Sequence, residues 1–90
     1  MYKFFSDPGH GWLQVPLPEL IALGIEKKIS SYSYLDSGQA YLEEDCDFAV
    51  FYHAYEKAHG IPPKIEAFRS VNGRSHVRDF FNYHWSAFGA

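Results

Sequence analysis

Short runs of β-prone residues, separated by turn-forming residues, cover much of the chain. Residues 2–5 and 12–15 flank six residues rich in Ser, Asp, Pro and Gly, which predicts a β-hairpin with a long, glycine-flanked loop. Residues 29–35 and 40–43 flank Asp36-Ser37-Gly38-Gln39 and predict a second hairpin. Residues 64–71 alternate between apolar and polar positions and predict another strand, which ends at the turn Asn72-Gly73.

Helical periodicity appears in one longer stretch. Aromatic residues and a histidine recur at i, i+3, i+4, i+7 and i+11 from Phe48 to His59, so a helix is predicted over about residues 45–59. Acidic residues crowd its start, and Gly60 and two prolines end it. A short helix is predicted over residues 17–23, before Gly24. Residues 76–83 fit either a helical face or an irregular strand.

These elements predict an α+β fold in a single domain, residues 1–90. An antiparallel sheet of about five strands would pack its apolar face against the helix at about 45–59, with the short helix 17–23 beside it. The composition agrees, because 47% of the residues are hydrophobic and 19% are aromatic. Such a balance excludes disorder for most of the chain.

The sequence shows no feature that would direct the chain out of the cytoplasm. One cysteine cannot form an internal disulfide, and no apolar run reaches the roughly 18 residues of a membrane span. Asp7 and Pro8 follow the first residues too soon for a signal peptide. We therefore expect a soluble protein in a reducing, cytoplasmic compartment.

Charge is distributed unevenly along the chain. The formal net charge is −3, but residues 36–56 carry six acidic residues and no Lys or Arg, whereas residues 57–90 carry a surplus of three positive charges. The acidic segment would repel phosphate and attract a basic protein surface. Direct binding of nucleic acid, which needs a basic face, is therefore disfavoured.

The acidic run at residues 43–47 is the densest feature of that segment. Favourable charge at a helix start, with Asp45 as the N-cap, explains one or two of its four carboxylates. The rest indicate a basic protein partner or, less readily, a Ca²⁺-type ion. The spacing does not fit the EF-hand pattern.

The histidines give no spacing typical of a metal site. His53 and His59 would lie on different sides of a helix, and the sequence contains no HExxH or CxxC motif. We predict no metal, no cofactor and no catalytic residue. A site assembled from separate loops, for instance Asp7, His10 and Glu43, stays open.

Two further positions could carry chemistry or contacts. Cys46 lies near the start of the long helix, where the dipole favours a thiolate, but the surrounding carboxylates raise the thiol pKa, so it is predicted to be structural or incidental. The loop Gly9-His10-Gly11 lacks the pattern of a phosphate loop. It is predicted to be a mobile hairpin tip or a contact loop that exposes His10 and Trp12.

Two stretches are distinctive: Asp7-Pro8-Gly9-His10-Gly11-Trp12-Leu13 with Val15, and Tyr41-Leu42-Glu43-Glu44-Asp45-Cys46-Asp47. Together with Leu23-Gly24-Ile25 and Lys28-Ile29-Ser30, they resemble a family of small uncharacterised proteins encoded by bacteriophages, prophages and other mobile elements, over about residues 4–60. The resemblance implies a protein of the bacterial cytoplasm similar to anti-defence inhibitors, among them anti-CRISPR proteins, which occupy a surface of a host complex without catalysis. It supplies no catalytic residue.

These features predict a non-enzymatic inhibitor of phage or mobile-element origin that binds a host defence complex, with a CRISPR effector as one candidate. Its acidic edge would occupy a basic surface that normally binds nucleic acid. The predicted contact residues are Asp36, Glu43, Glu44, Asp45, Asp47, His10 and Trp12. Two alternatives stay open: a small metal-dependent enzyme using Asp7, His10 and Cys46, and a nucleic-acid-binding accessory protein using Arg69, Arg74 and Arg78 with Phe80 and Tyr83 as stacking partners.

Overall fold

The computed structural model describes residues 1–85 and contains a six-stranded sheet covered on both faces. In chain order the elements are β1 (Tyr2–Ser6), β2 (Gly11–Pro16), α1 (Leu17–Ala22), β3 (Tyr34–Asp36), β4 (Gln39–Glu43), α2 (Phe48–His59), β5 (Ile65–Ser70), a 3₁₀ helix (His76–Asp79) and β6 (Phe81–Asn82). The predicted α+β class, with one main and one short helix, is confirmed. No helix within the described residues is long and apolar enough to cross a membrane.

The sheet is mixed rather than antiparallel, and it has six strands rather than about five. Its strand order is β5-β1-β2-β4-β3-β6. β5 runs parallel to β1, whereas the other neighbouring pairs are antiparallel. The pairing also makes β4 and β5 point the same way, and parallel strands need a long crossover. α2 provides that crossover by carrying the chain from β4 to the far edge of the sheet.

One face of the sheet packs against the two helices. Phe4, Leu13 and Leu42 lie side by side across β1, β2 and β4 and belong to the larger core cluster. α2 contributes Phe51, which is fully buried and whose ring lies 5.1 Å from that of Tyr2 in an edge-on arrangement. Of the predicted aromatic stripe, Phe51 and Tyr55 pack in this core, whereas Phe48 and Tyr52 are half-buried outside it and His59 is exposed.

The opposite face of the sheet is buried as well. Phe5, Trp12 and Tyr41 form a second apolar cluster with Val77 of the 3₁₀ helix. Trp12 is only 1% exposed, so the expectation that it is available to a partner is wrong. Residues 76–83, which fit a helix or a strand by sequence, contain both the 3₁₀ helix and β6.

The second predicted hairpin is shorter than its sequence pattern indicates. Residues 29–33 form a loop, and only Tyr34–Asp36 pair as β3. Ile29 packs into the core while Ser30 and Ser33 both donate hydrogen bonds to Asp47. Because these residues form a loop, both serines can reach one carboxylate. The β-prone residues around them predict a strand instead.

The boundaries of α2 also differ slightly from the prediction. The helix begins at Phe48 because the preceding residues form a turn, and Asp47 rather than Asp45 occupies the N-cap position. The Asp47 side chain makes no capping hydrogen bond. At the other end Gly60, with φ of +76°, ends the helix in the left-handed conformation, as the sequence predicts.

Candidate functional site

The turn between β1 and β2 is held by a single carboxylate. Asp7 Oδ1 accepts hydrogen bonds from the backbone N–H groups of Gly9 and His10, each at 3.0 Å. Arg78 donates to both carboxylate oxygens at 2.6 and 2.8 Å, and the backbone N–H of Ser75 donates to Oδ2 at 3.0 Å. These bonds, led by those from Arg78, hold the pKa of Asp7 well below its usual range. Asp7 is therefore committed to structure, and it anchors the backbone of His10.

Glu43 connects this turn to the one that follows β4. Its side chain is 8% exposed, and Oε1 lies 3.1 Å from His10 Nδ1. An ionised carboxylate only accepts hydrogen bonds, so Nδ1 is the donor. The other oxygen, Oε2, accepts from the backbone N–H groups of Asp45 at 2.6 Å and Cys46 at 3.1 Å. Glu43 is thus a buried residue that holds the β1–β2 turn and the turn after β4 through hydrogen bonds.

Asp47 is buried for a similar reason. Its carboxylate accepts hydrogen bonds from the N–H of Ser30 at 3.0 and 3.1 Å, from Ser30 Oγ at 2.7 Å and from Ser33 Oγ at 2.5 Å. Ser33 Oγ in turn accepts the backbone N–H of Glu43 at 2.9 Å. The expectation that Glu43 and Asp47 form part of an exposed acidic edge is therefore wrong. Both carboxylates are satisfied inside the protein.

Glu44 and Asp45 remain on the surface. Both are exposed, and neither forms an ion pair with Lys or Arg within residues 1–85. A ring nitrogen of His10 and one carboxylate oxygen from each of these two residues lie within 4.8 Å of one another. Residues 44–47 are called the acidic turn below. Two of the predicted contact residues, Glu44 and Asp45, are exposed on this turn, and a third, His10, lies beside them.

Asp36 does not belong to this group. It pairs with Gln39 at the start of β4, whereas Glu43 ends the same strand. Four residues of strand separate the two positions by roughly 14 Å. The predicted acidic edge is consequently not continuous: it consists of an exposed pair at one end of β4 and a half-buried Asp36 at the other.

A small cavity opens beside His10. Its volume is about 110 Å³, and its lining consists of His10, Trp12, Tyr32, Tyr34, Glu43 and Arg78. Tyr32 is 70% exposed and is a surface residue that sequence reasoning missed, because residues 29–35 were expected to form a strand. The buried indole N–H of Trp12 has no hydrogen-bond partner in the described part of the chain, and the guanidinium of Arg78 lies 5.1 Å from the Trp12 ring centre.

Two of the three residues of the enzyme alternative, Asp7 and Cys46, lie in surroundings that disfavour a reactive role. Asp7 is fully engaged by Arg78 and by backbone donors. Desolvation, followed by the charges of Glu43, Asp47 and Asp45, raises the pKa of the Cys46 thiol. The carboxylates therefore act on Cys46 as the sequence predicts, and they disfavour the thiolate that a nucleophile needs.

Most residues of the nucleic-acid alternative make contacts within the protein. Arg78 pairs with Asp7, and Arg74 pairs with Asp79. Tyr83 is buried, and its hydroxyl donates to the backbone carbonyl of Glu26 at 2.5 Å. Desolvation and the charges of Glu26 and Asp47 raise the pKa of Tyr83 to about 12. A buried tyrosine of this kind offers no stacking platform to a base.

No protein-family model, curated protein or solved structure matches the chain. Function must therefore be inferred from the geometry of the acidic turn and of the side chains beside it. Glu44, Asp45, His10 and Tyr32 constitute the candidate site.

Proposed function

We propose that this protein is a non-catalytic binding module that docks on a basic surface of another protein through the acidic turn. The observation that carries the proposal is the exposed pair Glu44 and Asp45, which has no Lys or Arg partner among residues 1–85. Adjacent like charges repel one another, and an external cationic surface would relieve that repulsion. His10 and the largely exposed Tyr32, which line one cavity, add contact area to the same surface.

The construction of the turn favours binding at little cost in conformational freedom. Glu43 and Asp47 fix its backbone from inside, so the two exposed carboxylates are presented on a scaffold that is ordered before any partner arrives. Preorganisation lowers the entropy lost on association. Tyrosine is also among the residues that most often dominate binding energy at interfaces. Tyr32 would therefore supply affinity, while Glu44 and Asp45 supply steering.

The partner we propose is a host nucleic-acid-binding complex in the bacterial cytoplasm. The resemblance to small phage and prophage proteins supports this choice, because it implies a likeness to anti-defence inhibitors, which act on host machinery. A surface that binds nucleic acid is strongly basic, and two fixed carboxylates complement it. Occupation of that surface would exclude the natural ligand, as an anti-defence inhibitor of the anti-CRISPR kind does.

Charge reversal tests the proposal. The double variant Glu44→Lys/Asp45→Lys should fail to capture from bacterial lysate a nucleic-acid-binding complex that the wild-type chain captures. The matched control Asp36→Lys changes an acid of β3 that lies opposite the start of β4, and it should retain capture. Added DNA or RNA should displace the wild-type chain from the captured complex. Equal capture by the double variant and the wild type would refute docking through the acidic turn.

A cellular assay addresses the anti-defence role. Bacteria with an active defence system that express the wild-type chain should become more permissive to phage infection, and cells expressing the double variant should not. Wild-type and variant amounts are matched by immunoblot, and melting curves confirm that both fold. If no defence system tested is weakened by the wild-type chain, the anti-defence part of the proposal fails even where a partner is captured.

A further inference from the structure

His10, Glu44 and Asp45 bring three metal-binding groups together from two separate turns. A ring nitrogen and two carboxylate oxygens lie within 4.8 Å of one another. Imidazole with carboxylates is a ligand set suited to divalent transition metals, Zn²⁺ in particular, and less to Ca²⁺, which prefers oxygen alone. We propose that these three side chains form a binding site for a divalent transition metal such as Zn²⁺. The site shares residues with the proposed docking surface but does not depend on a partner.

The imidazole is what distinguishes this group from an ordinary acidic cluster. His10 Nδ1 donates to Glu43 Oε1 at 3.1 Å, so the lone pair of the neutral ring resides on Nε2. Histidine ligands commonly have a carboxylate on the nitrogen that does not bind the metal, because it fixes the tautomer and the ring orientation. Glu43 is not itself a member of the three-residue group. With Nε2 as the metal ligand, this buried residue would take the position that such a carboxylate occupies.

The backbone of all three ligands is also fixed independently of a metal. Asp7 accepts the N–H of His10 at 3.0 Å, and Glu43 accepts that of Asp45 at 2.6 Å. The N–H of Glu44 donates to the carbonyl of Gly11 at 3.0 Å, which ties the two turns together. A side chain at Gly11 would collide with the Phe4 ring and approach Glu44 Oε2 to 3.0 Å. Glycine at this position therefore allows the carboxylate to lie close to the β1–β2 turn.

The three side chains could bind a metal after a small movement that leaves the backbone in place. Ligand atoms around a tetrahedral Zn²⁺ with bonds of about 2.1 Å lie roughly 3.4 Å apart. The separation of up to 4.8 Å must therefore contract by a little over 1 Å. All three side chains are exposed, so rotation about their own bonds can provide this. Three protein ligands leave one coordination position for water or for a donor atom of a partner.

Calorimetric titration of Zn²⁺ into the full chain, stripped of metal with EDTA, tests the site. The wild type should bind one equivalent, and His10→Ala or Asp45→Asn should weaken the strongest binding at least tenfold. Glu43→Gln should weaken it by about 10–100-fold while leaving all three ligands in place. His53→Ala and Asp36→Asn are matched controls that remove a surface histidine and an acid elsewhere, and they should bind as the wild type does.

Nuclear magnetic resonance supplies a second readout that identifies the ligand atom. Zn²⁺ should shift the Nε2 signal of His10 more than that of any other histidine, with melting curves confirming that each variant is folded. Absence of Zn²⁺ binding to the wild type, unchanged binding by His10→Ala, or equal affinity for Ca²⁺ would overturn the proposal. All of these measurements use the isolated chain, so their failure is distinguishable from failure to capture a protein partner.

Discussion

Acidic residues that are neighbours in this sequence have opposite roles in the structure. Asp47 is 3% exposed and accepts hydrogen bonds from Ser30 and Ser33. Asp45, two residues earlier, is exposed, and its backbone N–H donates to Glu43. Burial of a carboxylate costs free energy unless hydrogen-bond donors satisfy it. The loop at residues 29–33 supplies these donors to Asp47. Removal of Asp45 and removal of Asp47 should therefore have different effects on stability.

The variant Asp47→Ala should lower the free energy of unfolding by about 2–4 kcal/mol, because it leaves the half-buried donors of Ser30 and the buried hydroxyl of Ser33 without an acceptor. The matched variant Asp45→Ala removes an exposed carboxylate and should change it by no more than about 0.5 kcal/mol. Urea unfolding followed by circular dichroism measures both. Similar values for the two variants would contradict the internal role assigned to Asp47.

Asp7 should make the stability of the protein sensitive to acid. Its pKa is depressed in the folded chain, mainly by Arg78 and then by the backbone N–H of Ser75. A carboxyl with a depressed folded pKa contributes its full stabilisation above its unfolded pKa of about 3.9 and loses it as the pH falls toward the folded value. Asp7→Asn should therefore have a lower melting temperature at neutral pH and a smaller further decrease below about pH 4.

Melting temperatures recorded between pH 7 and pH 2 test this expectation. The control Asp36→Asn leaves the contacts of Asp7 intact and should keep the acid dependence of the wild type. If Asp7→Asn and the wild type lose stability in parallel over the whole range, the ion pair with Arg78 does not contribute as described.

Among the elements, those set by local periodicity could be predicted and those set by distant contacts could not. The stripe around Phe51 and the left-handed Gly60 define α2 to within a few residues. The parallel pairing of β5 depends on where the α2 crossover delivers the chain, which local pattern does not encode. The burial of the second sheet face did have a signal in the sequence: strands such as β2 are apolar at consecutive positions, which is typical of burial on both sides.

The candidate site could be predicted only in part, for the same reason. The acidic run predicts Glu44 and Asp45 as contact residues, and the glycine-flanked loop predicts His10 as another. That these three meet follows from the pairing of β2 with β4, in which Trp12 lies opposite Glu43. The burial of Glu43 and Asp47 follows from donors far away in sequence, at His10 and in the loop at residues 29–33. Composition alone cannot separate acids that stabilise the fold from acids that are free.

The packing of α2 should dominate stability at the scale of elements. Phe51→Ala removes a fully buried ring that contacts Tyr2 and should lower the free energy of unfolding by about 3–5 kcal/mol. Phe48→Ala, on the same helix but only half-buried, is the control and should cost less than about 2 kcal/mol. Chemical denaturation compares them. Equal losses would mean that α2 does not pack on the sheet through Phe51.

At the scale of the whole molecule, the exposed acidic pair and a group of basic residues lie on different parts of the sheet. The exposed acids Glu44 and Asp45 follow β4, whereas the basic residues Lys3, Lys64 and Arg69 lie on or beside the β1–β5 edge. The basic group is weakened as a phosphate-binding surface, because Lys3 lies opposite Glu66 and its amine packs 4.5 Å from the centre of the Phe68 ring. A net charge of −3 adds a general repulsion of nucleic acid.

This distribution predicts that the isolated chain does not bind nucleic acid. In gel-shift assays at low salt, neither duplex DNA nor single-stranded RNA should be retarded at protein concentrations up to about 10⁻⁴ M, the weak end of ordinary non-specific binding. Retardation that survives Glu44→Lys/Asp45→Lys but disappears in Lys64→Ala/Arg69→Ala would place a nucleic-acid site on the β1–β5 edge. In that case the protein would reach its target through the nucleic acid, and a basic protein surface would no longer be the partner that its charge distribution favours.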